Sequence, residues 1–301
     1  FDYHTQFHSH FSVTGRIGKK TYGRIDYSLE RNPLRSLNFA YKFTHQDLDI
    51  YKKGEKYLNT TFRNHFAEFS YSDMNWLSFR FRAGIRYENW IYKSILQTGT
   101  ADLQLKSEDF FNYFVSAHFE TLDKTYFPTK GISLKADYTV YTDNFIEFRD
   151  HSPFSALSFN FTSVVPLKAR FSIVPSLYGR VLIGKESVYP YKNIAGNEME
   201  GHFIDHQMAF DGIHRIETFK NAFMALRLQL RQQIGTQHYI LLTGNYGMHD
   251  DSFFRLPKGN QLYGGSIGYA YNAIFGPISA SLSFSNQTKN VQFYANLGFY
   301  F

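Results

Sequence analysis

Apolar and polar residues alternate with a strict period of two along most of this chain, as in a strand whose two faces meet different surroundings. Over 77–88, Leu77, Phe79, Phe81, Ala83, Ile85 and Tyr87 fall on one face and Ser78, Arg80, Arg82, Gly84, Arg86 and Glu88 on the other. Over 222–234, Met224, Leu226, Leu228 and Leu230 alternate with Ala225, Arg227, Gln229, Arg231 and Gln233. Over 278–285, Ile278, Ala280, Leu282 and Phe284 alternate with four serines. The final stretch sets Val291, Phe293, Ala295, Leu297, Phe299 and Phe301 against Gln292, Tyr294, Asn296, Gly298 and Tyr300. Similar stretches near 11–17, 21–30, 36–46, 60–72, 110–122, 132–141, 154–165, 171–183, 239–248 and 262–273 bring the count to fourteen strands.

Several of these reach ten residues or more, the length a tilted strand needs to cross a bilayer. A soluble strand averages about half that. Hydrocarbon tolerates no open sheet edge, so the pattern predicts one closed, all-β, transmembrane antiparallel β-barrel. It fills 1–301 as a single domain, with no linker and no internal repeat. The links give a second test. Those at 31–35, 73–76, 123–131, 166–170, 234–238 and 274–277 are short, and they alternate with long ones at 47–59, 92–109, 142–153, 184–221 and 249–261. Outer-membrane barrels combine short periplasmic turns with long external loops, which places Phe301 on the periplasmic side. The links at 18–20 and 286–290 are shorter than that scheme expects of external loops.

Composition sharpens the picture. The 32 Phe and 23 Tyr raise aromatics to 19%, and the mean hydropathy of −0.37 suits a barrel in which every second strand residue faces lipid. No apolar run approaches the roughly 18 residues of a transmembrane helix. The absence of Cys excludes a disulfide framework, zinc-ribbon and thiol redox chemistry. The net charge of +6 is spread along the chain without a basic block, so no nucleic-acid partner is expected. Residue 1 is Phe and no leader follows, which predicts a mature chain or a piece of a longer one.

One turn carries more than a pattern. Thr121-Leu122-Asp123-Lys124-Thr125-Tyr126-Phe127-Pro128-Thr129-Lys130-Gly131-Ile132 contains D-x-x-Y-F-P-T-x-G. Tyr126, Phe127, Pro128, Thr129 and Gly131 thus resemble the periplasmic turn between the eighth and ninth of sixteen strands in the BamA/TamA, or bacterial surface antigen, superfamily. Downstream, Val165-Pro166 closes a strand, Asn193-Ile194-Ala195-Gly196-Asn197 resembles that family's Y-A-G-G, and Gly276-Pro277-Ile278 opens the penultimate strand. The resemblance covers about 120–301 by motif and 1–119 by strand pattern alone. It implies sixteen strands where fourteen are counted.

Insertases of the superfamily carry V-R-G-F in the sixth external loop, whose Arg enters the lumen. Here the corresponding residues are Phe210, Asp211, Gly212 and Ile213, with an acid in place of the Arg. That departure makes the chain most similar to the barrels that carry a patatin-type lipase on the periplasmic side. The resemblance implies anchoring of such a lipase and passage of its product or of polypeptide. The rival expectations are an insertase or translocase and a passive porin-like channel. It also implies a C-terminal insertion signal in Phe293, Gly298, Phe299 and Phe301, read by the barrel-assembly machinery. Outer-membrane lipid is the expected surrounding, with a homodimer or a periplasmic partner as further expectations.

No catalytic residue, metal site or cofactor is expected of these residues. Gly264-Gly265-Ser266-Ile267-Gly268 matches the nucleophile elbow G-x-S-x-G, but it lies within an alternating strand with no helix after it. His202 and His206 flank Asp205 without the Glu of H-E-x-x-H. His4, His8 and His10 offer no better metal spacing. The inward faces carry Arg80, Arg82, Arg86, Lys135, Arg180, Arg227 and Arg231 beside Glu68, Glu88, Glu120 and Asp137. Mixed signs favour an internal ion-pair network that holds a plug over a single-sign pore. The link at 184–221 is the expected plug, with Asp211 facing Arg227 or Arg231. Trp76, Trp90, Tyr92, Tyr126, Phe127, Tyr239, Phe299 and Phe301 are expected to point outward as interface girdles.

Overall fold

The structure, a computed structural model, describes residues 2–4, 8–18, 20–32, 34–76, 78–97, 107–143, 154–184, 191–197, 206–214, 216–274 and 276–297. Among the described residues eighteen strands form one sheet. They are β1 (Asp2–His4), β2 (Ser9–Arg16), β3 (Lys20–Asn32), β4 (Arg35–Lys52), β5 (Glu55–Trp76), β6 (Phe79–Gln97), β7 (Glu108–Glu120), β8 (Gly131–Thr142) and β9 (Phe154–Lys168). Then follow β10 (Phe171–Gly184), β11 (Asn193–Gly196), β12 (Met208–Ala209), β13 (Glu217–Phe219), β14 (Ala222–Ile234), β15 (His238–Asp250), β16 (Asn260–Ala273), β17 (Gly276–Ser285) and β18 (Gln292–Leu297).

The wall is an antiparallel ladder in chain order from β1 to β10, continuing from β10 directly to β14 and on to β18. All fourteen anticipated strands are in it. The three-residue β1, hairpinned to β2, adds a fifteenth strand among the described residues. β11, β12 and β13 belong to the link between β10 and β14 and lie inside the wall.

The burial pattern is inverted relative to a soluble protein. On β17 Ser281 and Ser283 are 4% and 2% exposed, while their neighbours Leu282 and Phe284 are 49% and 47% exposed. β14 and β15 repeat this, with Arg227, Gln229, Arg231, Thr243 and Asn245 inward and Leu226, Leu228, Ile240 and Leu242 outward. Lipid on the outside and a polar interior produce this arrangement.

Toward the rim opposite the chain's C-terminus, the polarity flips within single strands. Leu37 and Phe39 face outward on β4, but the outward positions Asp47 and Asp49 are polar, and Leu48 and Ile50 now point inward. The same change on β5 turns Leu58 and Phe62 inward, while Phe69 and Tyr71 face out. These ends stand beyond the lipid band and pack like a soluble protein. The expected long link at 47–59 is therefore strand, closed by Lys53 and Gly54 alone. Their φ angles of 56° and 79° are those of a two-residue type I′ hairpin turn. β6 likewise runs to Gln97, through most of the first part of the link expected at 92–109.

Candidate functional site: a loop seated in the barrel

The link between β10 and β14 is the structural centre of the molecule. Its Tyr191, Ile194 and Ile216 complete an apolar cluster with Leu48, Ile50, Leu58, Phe62, Trp90 and Phe110 from the wall. Its Ala195, Met208, Phe210, Ile213 and Phe219 complete a second one with Tyr178, Phe223, Ala225 and Leu262. A solvated loop would expose such side chains, at a cost of about 1.5–3 kcal/mol for each large one. Burial against both clusters fixes the loop.

Polar contacts aim it. Asn193 Nδ2 donates to the carbonyls of Arg180, Lys220 and Asn221. Arg180 answers through Nη1 to the Tyr191 carbonyl at 2.7 Å and to Asn193 Oδ1 at 3.0 Å. Tyr51 N donates to the Ile216 carbonyl, and the His214 ring stacks on Tyr51 at 3.8 Å. Glu217 accepts from Gly54 N at 2.7 Å and from Gln287 Nε2, so it ties the β4–β5 turn to the β17–β18 link. Burial raises the Glu217 carboxyl above its ordinary value, opposed by those hydrogen bonds. Burial lowers His214.

The tetrad sits at the tip. Phe210 and Ile213 are fully buried. Gly212, at φ 90°, lies so close to β17 that a Cβ would strike the Phe284 carbonyl. Its own carbonyl accepts from Ser285 Oγ at 2.6 Å and Thr288 Oγ1 at 2.8 Å. The Ile213 carbonyl accepts from Tyr294 Oη at 2.8 Å. Asp211 is 4% exposed. Its Oδ2 accepts from Ser266 Oγ at 2.8 Å and stands 3.6 Å from Arg227 Nη2. The serine of the G-x-S-x-G match thus points into the barrel as a partner of the loop. Gly264 beside it leaves room for the Asp211 backbone.

The other family motif also folds inward. Asp123 accepts from Thr129 N and Oγ1 at 2.7 and 2.6 Å, which closes the turn. Gly131 takes φ 113° and Phe127 φ 48°. Phe127 stacks on Tyr239 at 4.3 Å, and the Pro128 carbonyl accepts from Arg231 Nη1 at 2.8 Å. β14 therefore holds the loop through Arg227 and the turn through Arg231, with Gln229 Oε1 bound to Arg231 between them.

Arg82 and Arg86 point inward and share Glu68, at 3.3 and 2.7 Å. Arg80, toward the C-terminal rim, is exposed. Lys135 lies 3.6 Å from Asp137. The outward aromatic girdle needs correction. Trp90 and Tyr92 belong to the interior cluster, because at that level the interior is the apolar side, and Tyr239, in phase with the inward Thr243 and Asn245, packs inside on Phe127. The Trp76 side chain, His202, Asp205, Gly298, Phe299 and Phe301 lie outside the described residues. Phe293 is described and is outward and exposed. His206 Nε2 lies 3.0 Å from the Lys192 carbonyl, and His10 lies 3.1 Å from Asp2. Among the described residues no three His, Asp or Glu side chains converge as a metal site. Sequence reasoning missed the packing roles of Tyr191, Ile194, Ile216 and Glu217. The signal was there in the many apolar residues of a link expected to enter the barrel.

A family model described as the OMP85 superfamily matches residues 20–301. Among solved structures, BamA from Haemophilus ducreyi lacking POTRA domains 1–3 superposes with a TM-score of 0.70 at 13% identity, covering 95% of this chain and 63% of that one. CdiB from Escherichia coli gives 0.62 at 13% identity, over 96% of this chain and 56% of its own. CdiB from Acinetobacter baumannii gives 0.59 at 11%, over 97% and 53%. At these identities the likeness is one of fold, and the chain spans less than two thirds of each of these neighbours. No curated protein sequence matches it.

Proposed function

Because the chain belongs to the OMP85 superfamily of bacterial outer-membrane barrels, we propose that it anchors a larger protein in that membrane. In this reading its own loop seals the lumen and a patatin-type lipase is carried on the periplasmic side. The rim holding the short links, where β18 ends, faces the periplasm, and the long links face outward. The observation that carries the reading is Asp211. Where the family's insertases present a loop Arg, this loop presents an acid, held by Arg227 and Ser266. A loop gripped on both flanks by apolar clusters and at its tip by a buried ion pair suits a passive anchor. Passage of product or polypeptide would require the loop to leave.

The test begins with the native polypeptide in isolated outer membranes, treated with an active-site serine probe. A band much heavier than a 301-residue chain that takes the probe is expected. A heavier band that does not react favours an insertase or translocase. A band the size of this chain alone sinks the anchoring role. In planar bilayers the purified barrel should conduct little, and porin-like conductance would overturn the sealed lumen.

A further inference from the structure

Between the seated loop and the 121–130 turn lies a chamber of about 650 Å³, within the range of small-molecule sites. Nine Lys and Arg side chains line it against three carboxylates among the described residues. Asp26 and Asp211 reach Arg24 and Arg227 from beside it, which still leaves nine cations against five acids. Inside a barrel, like charges are screened less than at a surface, so such an excess attracts a counter-charge.

Two places concentrate it. On the β4–β6 side, Arg82 and Arg86 share the single carboxylate of Glu68, and Lys42 Nζ lies 4.7 Å from the Phe66 ring centre. Across the barrel Arg180, 3% exposed, is held by neutral oxygens of Tyr191, Asn193 and Tyr141. On the first side, two guanidinium forks on one carboxylate, with Lys42 and Arg86 both beside the Phe66 ring, form a donor set for a tetrahedral oxyanion.

We propose that this chamber binds a phosphate-bearing anion, either free or as a lipid headgroup, against Lys42, Arg82 and Arg86. The site is independent of whether a lipase precedes the barrel. The experiment is calorimetric titration of the refolded barrel in neutral detergent with inorganic phosphate and, separately, with a short-chain phosphatidic acid, at low and at high salt. Binding that weakens with salt is expected. Lys42→Gln and Arg82→Gln should each weaken it about tenfold, the loss of one charge-assisted hydrogen bond. Arg82 is a third exposed, and Arg86 keeps its contact with Glu68 in its absence, so this variant folds even if Lys42→Gln does not. The heat-dependent shift of the barrel band on gels verifies folding. Phosphate binding identifies a free anion as ligand, and binding of the lipid alone identifies a headgroup. Binding of neither, or binding unchanged in Arg82→Gln, overturns the site.

Discussion

At the scale of single residues, Asp211 and Arg227 form a pair whose parts cannot be separated cheaply. Removing one partner of a buried pair strands the other charge and costs about 3–5 kcal/mol, whereas removing both costs less than the sum. Asp211→Asn and Arg227→Gln should each lower the urea stability of the barrel in vesicles. The double variant should fall well short of additivity, and strict additivity would mean that the 3.6 Å approach carries no coupling. The pH response can be assigned residue by residue. Glu217 is raised by burial, so the folded state holds its proton more tightly. Loop docking therefore weakens as pH climbs from the ordinary 4.5 through the raised value. His214 is lowered by burial, so the docking present above its ordinary 6.5 is lost as pH falls from there through the lowered value. Protease protection of the loop in Glu217→Gln should lose its fall with rising pH and keep its fall with falling pH, and His214→Gln should do the reverse. The signs of the Asp211 and Arg227 charges were legible in the sequence as possible partners. The place of Glu217 was not, because nothing local to 217 announces a contact with residue 54.

At the scale of elements, the alternation was legible wherever one face meets lipid and the other a polar interior. It failed at 47–59 for a physical reason. The strand continues, but its surroundings exchange sides, so the apolar positions shift by one residue, from Phe39 to Leu48 and Ile50. A phase shift of one looks like the end of a strand when each face is assumed to keep one partner. Tyr239 lies inside for another reason, the inward phase it shares with Thr243 and Asn245, whereas for Trp90 the cause is the same inversion. It also sets opposite rules for substitution along one strand. Ile50→Ala, deep in the interior cluster, should cost about 2–5 kcal/mol. On β17, Leu282→Arg on the lipid side should cost about 2–4 kcal/mol if it sits near the bilayer midplane. Asp49→Leu, outward and above the lipid band, should cost no more than about 1 kcal/mol, the worth of its exposed contacts with Lys56 and Asn59. Refolding titrations into vesicles check all three, and a severe loss in Asp49→Leu would contradict the flip.

At the scale of the whole molecule, the barrel reading rested on strand number, strand length and the rhythm of links, all of which depend on lipid as solvent. What the sequence left open was the interior, because loop-to-wall contacts are long-range and obey no period. Much of the loop's apolar content, from Tyr191 to Phe219, is spent there.

That arrangement also has a consequence in time. The loop is bonded to Gly54 across 163 residues of chain and to Tyr294 across 81. The two together hold only once the early hairpins have curled around to stand beside the last ones, and distant contacts of this kind are slow to gather. Seating of the loop therefore comes late in maturation, after the wall is drawn into a ring. A chain cut short before Tyr294 would lose that grip on the Ile213 carbonyl while keeping both apolar clusters, so the tip of its loop would be the part open to proteases that the finished barrel excludes.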